Sequence, residues 1–149
     1  MIEHVTIRRM DHVGVVVEDL ADAVAFFVEL GLEQRGAAPV EGDWVDRVVG
    51  LEGVSAQIVM LQTPDGTGRL ELAKFHAPPA EPDRHPAPAN ALGLRHVAFV
   101  VDDIDEVLAR LLARGAALVG ELGRYEERYR LCYLRGPEGI IVELAQQID

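Results

Sequence analysis

Four side chains in this 149-residue chain have the type and spacing for metal chemistry. His12 opens the run "HVGVVV" and His96 opens "HVAFVV", while Glu71 lies inside "GRLELAKF" and Glu143 inside "GIIVELAQ". Strands bury side chains, and an ionised carboxylate in a dry setting costs several kcal/mol unless something compensates it. Strand alternation puts His12 on the face of Gly14 and Val16, Glu71 on that of Arg69 and Ala73, and Glu143 on that of Ile141 and Ala145. Taken singly, each residue has an ordinary explanation: a strand histidine is usually a satisfied core or edge residue, and Arg69 is at hand to pair with Glu71. Their recurrence at matched places is what points to function. Two imidazoles and two carboxylates converging on one surface make a divalent-metal site, and the cation compensates the two buried charges.

The matching comes from an internal repeat. "MDHVGVVVEDLADAVAFFVELGL" (10–32) aligns without gaps on "LRHVAFVVDDIDEVLARLLARGA" (94–116) at an offset of 84, with His12/His96, Val13/Val97, Val16/Val100, Val17/Val101, Asp19/Asp103, Ala25/Ala109 and Gly31/Gly115 identical. Further on, "QIVMLQTPDG" matches "RLCYLRGPEG" at an offset of 73, and the two "ELA" segments repeat at 72. The first half therefore carries 11 more residues before its third strand, around "APVEGDWVDRVVGLEGVS". Each half reads in the same order: a β-branched strand, an aspartate N-cap (Asp19, Asp103), an amphipathic helix, a glycine stop (Gly31, Gly115), then three strands, the last preceded by a "TPDG" or "GPEG" turn. The fold class is α+β, two tandem βαβββ modules over about 8–75 and 94–146. "HAPPAEPDRHPAPANALG", with five of the eight prolines, reads as an extended linker over about 76–93, and its His76 and His85 read as solvated.

The length suits a single domain over 1–149, large enough to bury about 68–70% of its unfolded surface. A net charge of −11 argues against sequence-independent nucleic-acid binding and gives no attraction to anionic membranes. No apolar run approaches the roughly 20 residues that span a bilayer, and "MIEHVTIRRM" has no apolar leader core. The lone Cys132 reads as a buried, inert strand thiol, and the expected address is the cytoplasm. "GRYEERYR" reads as an exposed hairpin of alternating charge, and Trp44 and Arg47 lie in the enlarged segment.

With "DHVGVVVEDL", "RHVAFVVDDI" and "PEGIIVEL", the chain resembles the vicinal oxygen chelate superfamily, which includes glyoxalase I, methylmalonyl-CoA epimerase, extradiol dioxygenases and bleomycin-resistance proteins. The resemblance runs from about residue 8 to 146. It implies metal ligands at His12, Glu71, His96 and Glu143, in an open barrel-like mixed sheet with helices outside, commonly as a homodimer. Two histidines and one glutamate would suit an Fe(II) dioxygenase, but Glu71 would then crowd the ion; bleomycin-resistance proteins lack the ligands altogether. The full set fits the isomerase and epimerase members best, with Zn, Ni, Co or Mn ahead of Fe. The resemblance thus implies a glyoxalase I-like lyase or isomerase acting on a small substrate with vicinal oxygens, with an acyl-CoA epimerase as the alternative. The cation lowers the cost of removing the proton beside a carbonyl and of holding the resulting enediolate or enolate. Glu143 or Glu71 takes the proton, with Glu143 slightly favoured as the base.

Overall fold

A computed structural model describes residues 6–82 and 87–149. The first half runs β1 (Val13–Val16), α1 (Leu20–Leu30), β2 (Glu33–Glu41), α2 (Asp43–Val49), β3 (Ser55–Gln62) and β4 (Arg69–Ala77). The second runs β5 (His96–Val100), α3 (Ile104–Ala113), β6 (Ala117–Leu118), β7 (Gly123–Tyr125), β8 (Tyr129–Arg135), a 3-10 turn (Pro137–Gly139) and β9 (Ile141–Gln147). Both halves follow the βαβββ order that the repeat predicts, with α2 inserted between β2 and β3 in the first. In the second, the strand corresponding to β2 is broken into β6 and β7, which both pair with β8.

Local chemistry sets the helices where the sequence places them. The Asp19 carboxylate accepts from the Asp22 N–H at 2.9 Å, and the Asp103 carboxylate from the Glu106 N–H at 3.1 Å, satisfying donors that the first helical turn leaves orphaned. Gly31 at φ 131° and Gly115 at φ 97° turn the chain out of each helix. The 11-residue surplus of the first half is not simply a loop: it holds α2, begun after Gly42 and stopped at Gly50 in the left-handed region. The segment between the halves starts after Ala77 rather than at His76, which is an exposed residue of β4; His85 lies outside the described residues.

Each half makes a mixed sheet, ordered β1-β4-β3-β2 and β5-β9-β8-β6. In both, the first strand lies parallel to the last and is left at the edge. One face of each sheet is covered by helix. Leu61, Leu70, Leu72, Leu134, Val142 and Leu144 meet Phe27 of α1 and Ile104 and Leu111 of α3 in one core cluster drawn from both halves. α1 packs against α3, and the Glu18 N–H donates to the Glu138 carboxylate at 3.0 Å. A methyl group added at Gly136 would lie 3.1 Å from the Phe26 ring, so the first half's helix sits directly on the second half's turn. These contacts fix the two halves relative to each other. Between β1 and β5 the sheets do not join by hydrogen bonds; the strands flank a cleft of 630 Å³.

Candidate metal centre

The register puts the four residues at equivalent points. Glu71 stands opposite Gly14, two positions after His12, and Glu143 stands opposite Ala98, two positions after His96. All lie on the face away from the helices, because the alternate residues Leu70, Leu72, Val142 and Leu144 fill the core. His12 Nε2 is 3.5 Å from a Glu71 oxygen, and His96 Nε2 is 3.4 Å from a Glu143 oxygen. Both separations are long for a hydrogen bond, which prefers roughly 2.7–3.2 Å. They match the spacing of two ligand atoms on one tetrahedral ion, about 3.4 Å for metal–ligand bonds of about 2.1 Å. Each pair therefore fits two positions of a coordination sphere.

The four do not gather around one point. Among the described residues, no group of three or more His, Cys, Asp or Glu side chains is placed to hold one ion. The expectation of two buried charges also needs correcting: the Glu71 and Glu143 side chains keep 29% and 19% of their exposure. Alternation told which face they occupy, but nothing among the described residues covers that face. It remains open, with Val16 and Val100 exposed on it, and Met10 and Leu94 exposed on the segments leading into β1 and β5. Arg69 does not partner Glu71; its Nε donates to Gln62 at 3.2 Å and its guanidinium lies 3.8 Å from Asp11.

The supports of the two pairs differ. In the first half, a ring nitrogen of His12, Nδ1, lies 2.8 Å from Asp11 Oδ2. A carboxylate only accepts, so in the neutral ring this contact places the proton on Nδ1 and leaves Nε2 its lone pair, the arrangement a metal-binding histidine requires. The same contact, the largest cause, holds the Asp11 carboxyl below its ordinary pKa. In the second half the residue before His96 is Arg95, whose guanidinium donates to the Leu92 carbonyl at 3.4 Å. There the support is Tyr133, directly opposite Glu143 on β8, with its ring centroid 4.9 Å from that of His96. Burial, followed by the charge of Glu143 and hydrogen bonding to it, pushes the Tyr133 phenol up. Sequence reasoning missed both supports. Asp11 was readable as the acid immediately before His12, and Tyr133 as the aromatic ten residues before Glu143, across the GPEG turn.

Other sequence expectations fall into place around this face. Cys132 alternates with Tyr133 into the core, 2% exposed, and burial pushes its thiol up. "GRYEERYR" is the β7–β8 hairpin, with Arg124 paired to Glu127 at 3.1 Å. Tyr125 and Tyr133 share the wall of a 420 Å³ hollow. Trp44 is 59% exposed on α2.

Residues 9–144 match the family profile described as the glyoxalase/bleomycin resistance protein/dioxygenase superfamily. Among curated proteins, the uncharacterized protein YaeR of Escherichia coli is 28% identical over 143 residues, covering 95% of this chain and 98% of its own. YwbC of Bacillus subtilis is 26% identical over 145 residues, covering 94% and 98%. Among solved structures, a glyoxalase family protein from Bacillus cereus is 48% identical and superposes over 100% of both chains with a TM-score of 0.95. A mutant of the fosfomycin resistance protein FosX from Listeria monocytogenes, complexed with Mn(II) and a dihydroxypropylphosphonic acid, shares the fold at 16% identity. Its TM-score is 0.62, covering 93% of this chain and 90% of that one.

Proposed function

Because the chain belongs to the glyoxalase/bleomycin resistance protein/dioxygenase superfamily, we propose that it is a metal-dependent lyase or isomerase of the glyoxalase I type, acting on a small substrate with two adjacent oxygens. The observation that carries this reading is the pair of matched His–Glu bites, 3.5 Å in one half and 3.4 Å in the other. Each bite supplies half a ligand set. Since the shared core holds the halves in place, the set is completed by a second copy, His12 and Glu71 of one chain facing His96 and Glu143 of another in a homodimer. The open β1 and β5 edges and their exposed apolar residues suit such an interface. The donor chemistry fits Zn, Ni, Co or Mn; a soft thiolate site does not arise, because Cys132 points into the core.

When bound, the divalent ion supplies Lewis acidity that lowers the cost of taking the proton beside a carbonyl. The chain does the rest. His12 and His96 hold the ion as neutral imidazoles, and Asp11 fixes the ring of His12. Met60, opposite Glu71, and Val16 make an apolar wall on which a small substrate excludes water. Glu71 or Glu143 accepts the proton and returns it to the neighbouring carbon, the step that defines an isomerase.

The test is elemental analysis of the purified protein, followed by activity assays on hemithioacetals and on methylmalonyl-CoA. A bound divalent ion and hemithioacetal turnover lost on chelation are the expected results. Activity on methylmalonyl-CoA alone would move the protein to the epimerase reading. Tight drug binding by the metal-free protein, with no turnover, would make it a binding protein instead.

A further inference from the structure

The strand beside β8 is built differently from its counterpart beside β3. β2 runs along β3 from Glu33 to Glu41 with a single register shift, between Gln34 and Gly36. In the second half the chain leaves its partner midway. Leu118 pairs with Leu134, the Val119 N–H donates to the Tyr133 carbonyl at 2.9 Å, and pairing resumes only where Gly123 meets Leu131. Residues 119–122 thus stand opposite only Cys132 and Tyr133. The surplus lifts off the ladder, as extra residues in one strand do, and leaves the 420 Å³ hollow. Gly120 and Gly123 line it, and a methyl group at either would meet nothing within 4 Å.

The hollow opens on the face away from the core. Gly123 lies opposite Leu131 and Tyr125 opposite Tyr129, while Leu131 and Tyr133 alternate with the buried Cys132 and Leu134. All three tyrosines of the chain therefore stand on this one face. Tyr125 and Tyr133 wall the hollow together with Val119 and Leu131. His96 backs the Tyr133 ring at 4.9 Å, and Tyr125 is left 57% exposed. Among the described residues, Arg124 is the one cationic side chain lining it, and it is already paired with Glu127 at 3.1 Å; Glu121 adds negative charge. An anionic group finds no counter-charge there, whereas a neutral ring finds two aromatic walls. At the offset of 73, the first half has Ile58 for Leu131 and Met60 for Tyr133, with Ala38 opposite Ile58 and no break in the strand.

We propose that this hollow is a binding subsite for an uncharged aromatic group of a small ligand, seated between Tyr125 and Tyr133. An apolar cavity of about 150 Å³ takes up benzene, so a hollow of 420 Å³ admits two fused rings. Ring faces set against tyrosine gain beyond the area they bury, which favours a flat ring over an aliphatic group of equal size. Every residue of the subsite comes from the second sheet of one chain, so it depends on neither a metal ion nor a second copy. Tyr133 stands between the hollow and Glu143, and the rest of a ligand held here can extend towards that pair of strands.

The experiment is calorimetric titration of the full-length protein with 2-naphthol, with and without EDTA, beside its saturated analogue decahydro-2-naphthol and the anion 2-naphthoate. Naphthol is expected to bind once per chain, unchanged by EDTA, and more tightly than either comparator. Gly123→Leu, which puts a side chain into the hollow, is expected to remove that binding. Ala38→Leu, at the matching place of the first half, is expected to leave it as in wild type. Tyr125→Ala is expected to weaken it about 2–10-fold, and it serves if Gly123→Leu fails to fold. No naphthol binding by the wild type would overturn the proposal, as would full binding by Gly123→Leu or Tyr125→Ala, or a comparator bound as tightly as naphthol. Binding lost with EDTA would place the ring on an ion and overturn it too. None of these failures touches the function proposed above, which stands or falls on bound metal and turnover.

Discussion

The two His–Glu pairs differ in almost everything except their donor atoms. His12–Glu71 and His96–Glu143 present the same elements at nearly the same separation, 3.5 and 3.4 Å, on equivalent strands. Around them, Asp11 has become Arg95, Met60 has become Tyr133 and Gly14 has become Ala98. Under the proposed function, an ion constrains the four donor positions after a duplication, whereas the residues behind them are constrained only by what each half must do. The donor types are kept while their neighbours have diverged, which fits the proposed pairing of two half-sites. The same holds for the scaffold: α1 and α3 are capped alike by Asp19 and Asp103, but only the first half grew α2.

The sharpest way to break this comparison is to remove one imidazole at a time. His12→Ala and His96→Ala should each weaken ion binding by at least about 100-fold, since losing a mere supporting residue costs 10–100-fold. Isothermal titration with Zn(II) checks it; one variant binding as well as wild type would mean that the halves are not partners. Below that in effect comes the core. Phe27 and Leu111 hold corresponding positions on the two helices and are both fully buried. Phe27→Ala should lose about 3–5 kcal/mol and Leu111→Ala about 2–5 kcal/mol in urea denaturation, each in a single transition because the cluster is shared. A smaller effect separates the supports. Asp11→Asn should weaken ion binding roughly 10–100-fold, whereas Arg95→Asn should leave it nearly unchanged, because Asp11 touches its histidine and Arg95 bonds the Leu92 carbonyl instead.

The smallest effect concerns pH. Asp105, at the start of α3, is held below its ordinary pKa chiefly by the hydrogen-bonded Arg130 guanidinium, at 2.8 and 3.0 Å. The first half has Ala21 at the corresponding place. A carboxyl depressed in the folded state adds stability above its unfolded pKa of about 3.9 and loses it as pH falls through the lower folded value. Asp105→Ala should therefore lower Tm slightly at pH 6, and the difference should shrink as pH falls below about 3.9. A difference that grows on acidification would contradict the assignment.

Much of the fold was legible because it is local. The valine runs, the Asp caps and the glycine stops act over a few residues, and the offset of 84 showed them twice. α2 escaped because "DWVDRVV" is one short element among Gly42, Gly50 and Gly53, in a segment with no counterpart to align. The candidate site was legible as matched positions on two strand faces. Its assembly was not. Alternation says which way Glu71 and Glu143 point, but what covers that face depends on how whole sheets and copies are arranged. The supports were hidden for a different reason: Tyr133 meets Glu143 only through the antiparallel register set by the 3-10 turn at Pro137–Gly139.

Complementation between two disabled chains tests the central claim most directly. One chain carries His12→Ala with Glu71→Ala, the other His96→Ala with Glu143→Ala, and neither can form a complete ligand set with its own kind. In the mixed dimer, one of the two sites regains all four ligands, so co-expressed and purified heterodimer should bind one Zn(II) per pair of chains, while each homodimer binds none tightly. A heterodimer that recovers no ion, or a single variant that binds a full equivalent alone, would contradict the shared centre.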